Sequence, residues 1–451
     1  MAIGVAGLLI AGHPASGQTL TEAFTYTYNN NPQLLAQRAL LRATDEQVPQ
    51  ALSNWRPTVT FNAQGGYTRA GTAVSHFPTA FSSFPTRAMS LTVTEPLYRG
   101  GRTEAQTRQA INTVQATRAQ TLAVETTVFQ AVAQAYLDTV RDQTLLEVAR
   151  NNELVLNRQL EATRDRFRVG EVTRTDVAQA ESSLAQATAQ RINAEGVLEV
   201  SRAEYTRVVG HPPGRLMQPR ERPALPATRN EALSLAMNDN PNVISANFTE
   251  LAARDSIDVV RGQLLPQISV VGTLSRSTAP SITLSNERQD SASATLQLTM
   301  PLYEGGAIYS QTRQAEQTVG QRRSQVDDAR RAAIQLATQA WETLQAARAA
   351  IASFGSAVRA AQIALEGTQQ EALVGSRTVL DVLIAEQQLF TTQSQLVTSE
   401  HDAALQEFVL AASIGRLIAP ELKLPVQLYD MEKHYKAVKD KLFGFGGGLK
   451  E

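Results

Sequence analysis

FRVGEVTRTDVAQAE at Phe167–Glu181 and EALVGSRTVLDVLIAE at Glu371–Glu386 are one unit written twice, setting Gly170 against Gly375, Asp176 against Asp381 and Glu181 against Glu386 at one constant offset. The correspondence extends outward. TEPLYRGG at Thr94–Gly101 answers TMPLYEGG at Thr299–Gly306, and EAFTYTYNNNP at Glu22–Pro32 answers EALSLAMNDNP at Glu231–Pro241. The copies cover nearly the whole chain, so the 451 residues read as one structure made of two halves.

Composition narrows what such a structure can be. Only 19% of residues are charged and 6% aromatic, while Ala, Gln, Ser and Thr crowd the long middle sections. Large apolar side chains are too few for a deep globular core, and long helices sharing narrow seams suit that supply better. The net charge of −1 gives no overall attraction to nucleic acid or to an anionic membrane surface. Cysteine is absent, which removes disulfides, thiolate catalysis and Cys-based metal sites together.

The N-terminus carries an apolar run from Ile3 to Ala11, followed by the small residues Ala15, Ser16 and Gly17. This reads as an export signal over residues 1–17. No Lys or Arg precedes the run, so an upstream start and a buried apolar tail are the other readings. No later segment has the roughly 18 consecutive apolar residues of a spanning helix, so any membrane crossing must use strands.

No proline occurs from Gly101 to Gly210 or from Leu302 to Ala419, which marks both as helix territory. Arg102–Val169 alone, if helical throughout, spans on the order of 100 Å. Phe129, Val132, Tyr136 and Val140 recur at helical intervals, and Val382, Leu389, Leu396 and Ala403 step by a heptad. Gly170 and Gly375 interrupt these patterns and predict two helical hairpins whose tips carry the duplicated unit.

Between the helices lie strands. Met89, Leu91 and Val93 alternate with Ser90, Thr92 and Thr94; Ala294, Leu296, Leu298 and Met300 alternate with Ser293, Thr295, Gln297 and Thr299. Each set has one apolar and one polar face. Partner strands at Thr58–Thr68 and Gln267–Ser275 complete two hairpins, with long exposed loops at about Ala70–Pro85 and Arg276–Asp290. Pro57 and Pro266 stand at the strand entrances, and Pro96 and Pro301 at the exits. Four strands cannot close a barrel, and an open edge in lipid leaves backbone groups unpaired at roughly several kcal/mol each, so several chains must pool strands.

Chemistry finds no foothold. The five histidines, His13, His76, His211, His401 and His434, are scattered without ligand spacing, and no nucleophile elbow is present. The Gly444–Gly448 run lacks the flanking strand and helix of a phosphate loop. No catalytic residue, metal site or cofactor is implied.

In VGSRTVLDVL at Val374–Leu383, its partner VGEVTRTDV at Val169–Val177, and the paired P-L-Y-x-G-G elements, the chain resembles the TolC-like outer membrane factors over roughly residues 20 to 418. The resemblance implies a mainly α fold with a small β part: a duplicated long-helix coiled-coil barrel plus four transmembrane strands per chain, completing a twelve-stranded barrel in a homotrimer. The layout it implies is a first repeat over 18–211 with strands at about 57–96 and a helical hairpin at 101–210, then a proline-rich linker at 212–228. A second repeat follows over 229–418, with strands at about 266–301 and a helical hairpin at 305–415. The tail at 419–451 is read either as part of a belt around the tunnel or as a surface helix ending in disorder.

The same resemblance implies a passive exit duct in the outer membrane, extending into the periplasm. A periplasmic adaptor (membrane fusion protein) and an inner-membrane ABC or RND transporter open it, for type I secretion or multidrug efflux; outer-membrane lipid is a further partner, and nucleic acid is not. Residue by residue, Asp381 matches a carboxylate ring at the constriction. Arg377 matches an arginine linking neighbouring hairpins, with Thr175 and Asp176 its partners, and Gly170 and Gly375 look like adaptor-docking tips. The family's second acidic position is Ile384 here, and its aromatic linker is Ala372. Read without the family, Asp176 and Asp381 simply cap helix first turns. The competing reading of the whole chain is a soluble periplasmic coiled-coil adaptor or scaffold.

Overall fold

The structure, a computed structural model, describes residues 18–72, 80–219, 221–278 and 288–444. The expected export signal, the centres of both strand-hairpin loops and the glycine-rich run from Phe445 lie outside these residues. The elements run α1 (Leu20–Asn30), α2 (Pro32–Asp45), α3 (Gln47–Leu52), β1 (Thr58–Thr72), β2 (Ala80–Arg99), α4 (Arg102–Arg168) and α5 (Arg174–Val209). They continue with α6 (Arg229–Asn238), α7 (Pro241–Arg261), β3 (Gln267–Thr278), β4 (Arg288–Thr299), α8 (Ala307–Leu373), α9 (Val379–Ser413) and α10 (Lys433–Val438). The fold is mainly helical with one small sheet, as the proline-free tracts and alternating segments predict.

Two compact units divide the chain, and neither is a sequence repeat. One comprises residues 1–39, 119–244 and 328–429, the other 40–118, 245–327 and 430–451, so each draws on both halves.

In the first unit, the ring of Phe24 meets those of Phe129 and Phe408 at 5.1 and 6.1 Å. Around them Val132, Tyr136, Tyr205, Ala411 and Leu417 form one core drawn from both repeats. Tyr136 donates its hydroxyl to Met217 O at 2.6 Å and accepts from Met217 N–H at 3.2 Å, pinning the proline-rich linker to α4. A second core, with Ala337, Leu344, Leu410 and Ile414, closes α8 on α9. Along the heptad, Val382 and Ala403 are buried and Leu389 and Leu396 half-buried.

The second unit holds an antiparallel sheet in the order β1-β2-β3-β4. Each hairpin forms as expected, and β2 also pairs with β3, joining the two repeats in one ladder. Both middle connections are shorter than predicted: β1 runs to Thr72 against Ala80, and β3 to Thr278 against Arg288. Ser, Thr and Arg at these ends read as loop by composition, yet keep the strand period of two. Pro96 does not stand at the strand exit. It lies inside β2 at a register shift before Tyr98, where a bulge absorbs its missing N–H.

Register puts Val59, Phe61, Leu91, Val93, Val270, Leu274, Leu296 and Leu298 on one face and Ser90, Thr92, Thr94, Thr273, Ser293 and Thr295 on the other. No second sheet covers the apolar face among the described residues; Phe61 is 65% and Leu296 70% exposed. Gly100, at φ +65°, marks the passage from β2 into α4, and a Cβ there would stand 2.3 Å from Gly262 O. The tail forms a short helix whose Tyr435 joins Val48, Ala51, Ala110 and Val114 in a small core, with Arg118 over the Tyr435 ring at 5.3 Å. Among the described residues no helix is long and apolar enough to cross a membrane.

Candidate functional site at the hairpin tips

Both long helical hairpins turn the same way. Glu171 N–H donates to Arg166 O (2.9 Å) and Gly170 N–H to Phe167 O (3.0 Å); in the second repeat Ser376 donates to Glu371 O (3.0 Å) and Gly375 to Ala372 O (3.3 Å). This is a Schellman closure, with Gly170 at φ +80° and Gly375 at φ +81°. Val169, Leu373 and Val374 stand exposed around the two glycines.

The returning helices start alike. Asp176 N–H donates to Thr173 Oγ1 at 3.3 Å while Thr173 N–H donates back to Asp176 Oδ2 at 2.8 Å. Thr378 and Asp381 repeat the box at 3.3 and 2.9 Å. Thr173 and Thr378 are thus the N-caps and both aspartates complete a capping box in the first turn, where their chemistry places them without reference to any family. The Thr378 backbone N–H, then its hydroxyl and the nearby Arg377, hold the Asp381 carboxyl below the usual carboxylate range.

Arg377 donates from Nε to Glu371 Oε2 at 2.8 Å, on its own hairpin, and this pairing pushes its pKa up. Among the described residues no ion pair joins it to Asp176. Thr175 is exposed in the first turn of α5, and Ile384, 58% exposed, points away from the seam that takes Val382 and Leu383. That seam packs Val379 and Leu383 of α9 against Leu156, Leu160, Ala180 and Ala187, bringing the duplicated tips together.

One acid beside the site goes beyond what its motif position reveals. Glu386 is only 7% exposed and accepts from Gln369 Nε2 at 3.1 Å, and burial raises its pKa. Its counterpart Glu181 is exposed and bound to Arg164 at 2.7 Å. The duplication marked both positions, but only packing separates them. A second polar cluster lies where no spacing announces it: buried Glu407 accepts from Arg222 (2.8 Å) and Arg348 (2.9 Å), and His401 stands 2.9 Å from both Asp138 and Asp402. No group of His, Asp or Glu among the described residues is arranged to hold a metal.

An exposed apolar sheet face and paired long helical hairpins define a class of membrane-inserted channel components. The outer membrane efflux protein family model matches residues 27–211 and again 232–416, and the chain belongs to that family. It is 34% identical to the outer membrane efflux protein BepC of Brucella suis across 98% of this chain and 95% of that protein. It is 26% identical to the outer membrane protein TolC of Vibrio cholerae, covering 89% and 91% of the two. The crystal structure of the Campylobacter jejuni CmeC outer membrane channel superposes with a TM-score of 0.78 at 15% identity, covering 98% of this chain and 97% of that one. The protein is therefore an outer-membrane protein of a channel family and not an enzyme, which removes the reading as a soluble adaptor or scaffold.

Proposed function

We propose that the chain is one of three identical subunits of an outer-membrane channel-tunnel, a passive exit duct for drug efflux or type I protein secretion. The observation that carries this reading is the open sheet: among the described residues β1 and β4 have no outer partner, and the apolar face lies bare. Unpaired strand edges in hydrocarbon cost roughly several kcal/mol per group. Three copies of a four-stranded sheet, joined β4 to β1, satisfy those edges as a closed twelve-stranded barrel. The efflux named for BepC and the channel named for CmeC support the assignment.

The hairpin tips are read as the periplasmic gate, with Asp381, Arg377, Thr175, Asp176 and Ile384 at the constriction. Three Asp381 carboxylates converging on an axis repel, which opposes the lowering by Thr378 and favours a bound cation. Arg377 has two competing acceptors in this reading, Glu371 on its own hairpin and Asp176 on a neighbour. Each exposed pair contributes about 0–1 kcal/mol, but threefold repetition makes the links release together, so opening calls for a partner. An adaptor docking at Gly170 and Gly375, against the exposed Val169 and Val374, and an inner-membrane ABC or RND transporter supply that trigger.

The test is the mass of the purified assembly in detergent together with its conductance in planar bilayers. A trimer forming cation-blocked pores is expected. A monomer that stays soluble after detergent removal and forms no pores overturns the proposal.

A further inference from the structure

The apolar face of the sheet changes character at the end away from the helices. Along one row of the ladder stand Phe61, Leu91, Leu274 and Ala292; the next row is Ala63, Met89, Arg276 and Asp290, and the one after is Gly65, Arg87, Thr278 and Arg288. The period of two keeps all of these on the same face. Arg276 donates from Nε to Asp290 Oδ1 at 2.7 Å, and Arg288 from Nε to Asp290 Oδ2 at 3.0 Å. Two guanidinium groups thus meet one carboxylate, and Arg87 stands on the row of Arg288, so the described residues of this cluster carry a local positive excess that the whole-chain charge of −1 conceals.

Three observations give this cluster a partner. First, Phe61, Met89, Leu91, Leu274 and Ala292, with Ser90, Ser275 and Ser291 between them, line a groove that ends at Arg276 and Asp290. A largely apolar trough that ends at one arginine, with Arg87 and Arg288 on the next row of the same face, matches a molecule with an acyl chain and an anionic head. Second, depth agrees. From Leu298 to Arg288 is ten residues, about 33 Å of strand, or about 25 Å along the membrane normal at a tilt of about 40°, the height of the apolar band of an outer-membrane barrel. Third, Tyr67 and Phe81 sit beyond this row, Phe81 with Arg69 over its ring at 5.1 Å, as aromatic residues do at a membrane interface. The helix-side edge of the face carries instead the acid Glu95, opposite Val270.

We propose that Arg87, Arg276 and Arg288 form a binding site for the phosphate-bearing headgroup of a membrane lipid whose acyl chain lies in the groove below them. Asp290 is a positioning residue: it braces two guanidinium groups side by side, which suits a headgroup with more than one acceptor oxygen. The inference rests on the proposed channel, in which this face is turned to lipid.

The full-length protein in mixed micelles of equal phosphatidylglycerol and phosphatidylcholine tests it, with native mass spectrometry counting the lipids each assembly retains. The expected result is a several-fold preference for phosphatidylglycerol in the unsubstituted protein, lost in an R87Q/R276Q/R288Q triple variant and reduced in R87Q alone. Glycerol phosphate, a head without a tail, is expected to leave the preference in place. Equal retention of both lipids by the unsubstituted protein overturns the proposal and needs no variant to fold. An undiminished preference in the triple variant also overturns it, and full displacement by glycerol phosphate replaces a lipid site with a free-anion site. The same spectra report the assembly mass, so a failure of the trimer is seen separately from a failure of lipid selectivity.

Discussion

Asn240 donates its side-chain amide to Ser413 O at 2.9 Å and ties the start of α7 to the last turn of α9. The first repeat makes the same tie, Asn31 Nδ2 to Val208 O at 3.2 Å. Each asparagine also accepts from the helix it starts, Asn242 N–H at 2.9 Å and Gln33 N–H at 2.9 Å. Both are buried. Asn240→Ala removes the cap and leaves the Ser413 carbonyl unanswered, at a cost of about 2 kcal/mol. Asn31→Ala has a similar cost, and calorimetry of the detergent-solubilised protein reads both as a lowered Tm.

Two glycines with nearly equal backbone angles respond differently to alanine. Gly375 (φ +81°) has open space where a Cβ would go, so Gly375→Ala costs only the left-handed strain, about 1 kcal/mol. Gly100 (φ +65°) has Gly262 O in that space, and its substitution costs at least twice as much. Equal losses of thermal stability would refute the close approach.

If the tips form the gate, Asp381→Ala and Arg377→Ala each raise single-channel conductance, and Asp381→Ala also weakens cation block. Unchanged conductance and block in both variants would remove the gate assignment. Ile384→Asp adds a carboxylate ring and increases cation selectivity; no effect would take Ile384 out of the constriction.

Leu296→Arg, on the apolar face of β4, opposes membrane insertion by about 2–4 kcal/mol if that position lies near mid-membrane. Ser293→Arg, on the polar face, carries no such penalty. The yield of membrane-inserted, heat-modifiable oligomer on a gel compares them, and similar yields would overturn the assignment of faces.

Glu386 supplies a pH test. Burial raises its folded-state pKa above the unfolded value, so its favourable contribution is complete below the unfolded pKa, about 4.3, and is lost as pH rises through the folded pKa. Glu386→Gln therefore raises stability at neutral pH, and the gain over the unsubstituted protein disappears on acidification. Chemical denaturation at several pH values checks the sign.

Much of this was legible in the chain because the relevant signals are local and duplicated. Gly170 and Gly375 announce their turns, and Asp176 and Asp381 announce the helix first turns, though the threonines they pair with emerge only in the structure. The strand faces follow from alternation. What remained hidden depends on long-range packing: that β2 pairs with β3, that Glu386 is buried while Glu181 is not, and that His401 meets Asp138 from the other half of the chain. Pro96 reads as a strand terminus in the sequence because it lacks an N–H, and only the partner strand exposes the bulge that admits it.

The ladder between β2 and β3, together with the core in which Phe24 and Phe129 of one repeat meet Phe408 of the other, has a topological consequence. The covalent link through the proline-rich segment at 212–228 is redundant with these two non-covalent seams between the repeats. A backbone cut there leaves the two fragments interlocked, and circular permutation at that point preserves every pairing the fold requires.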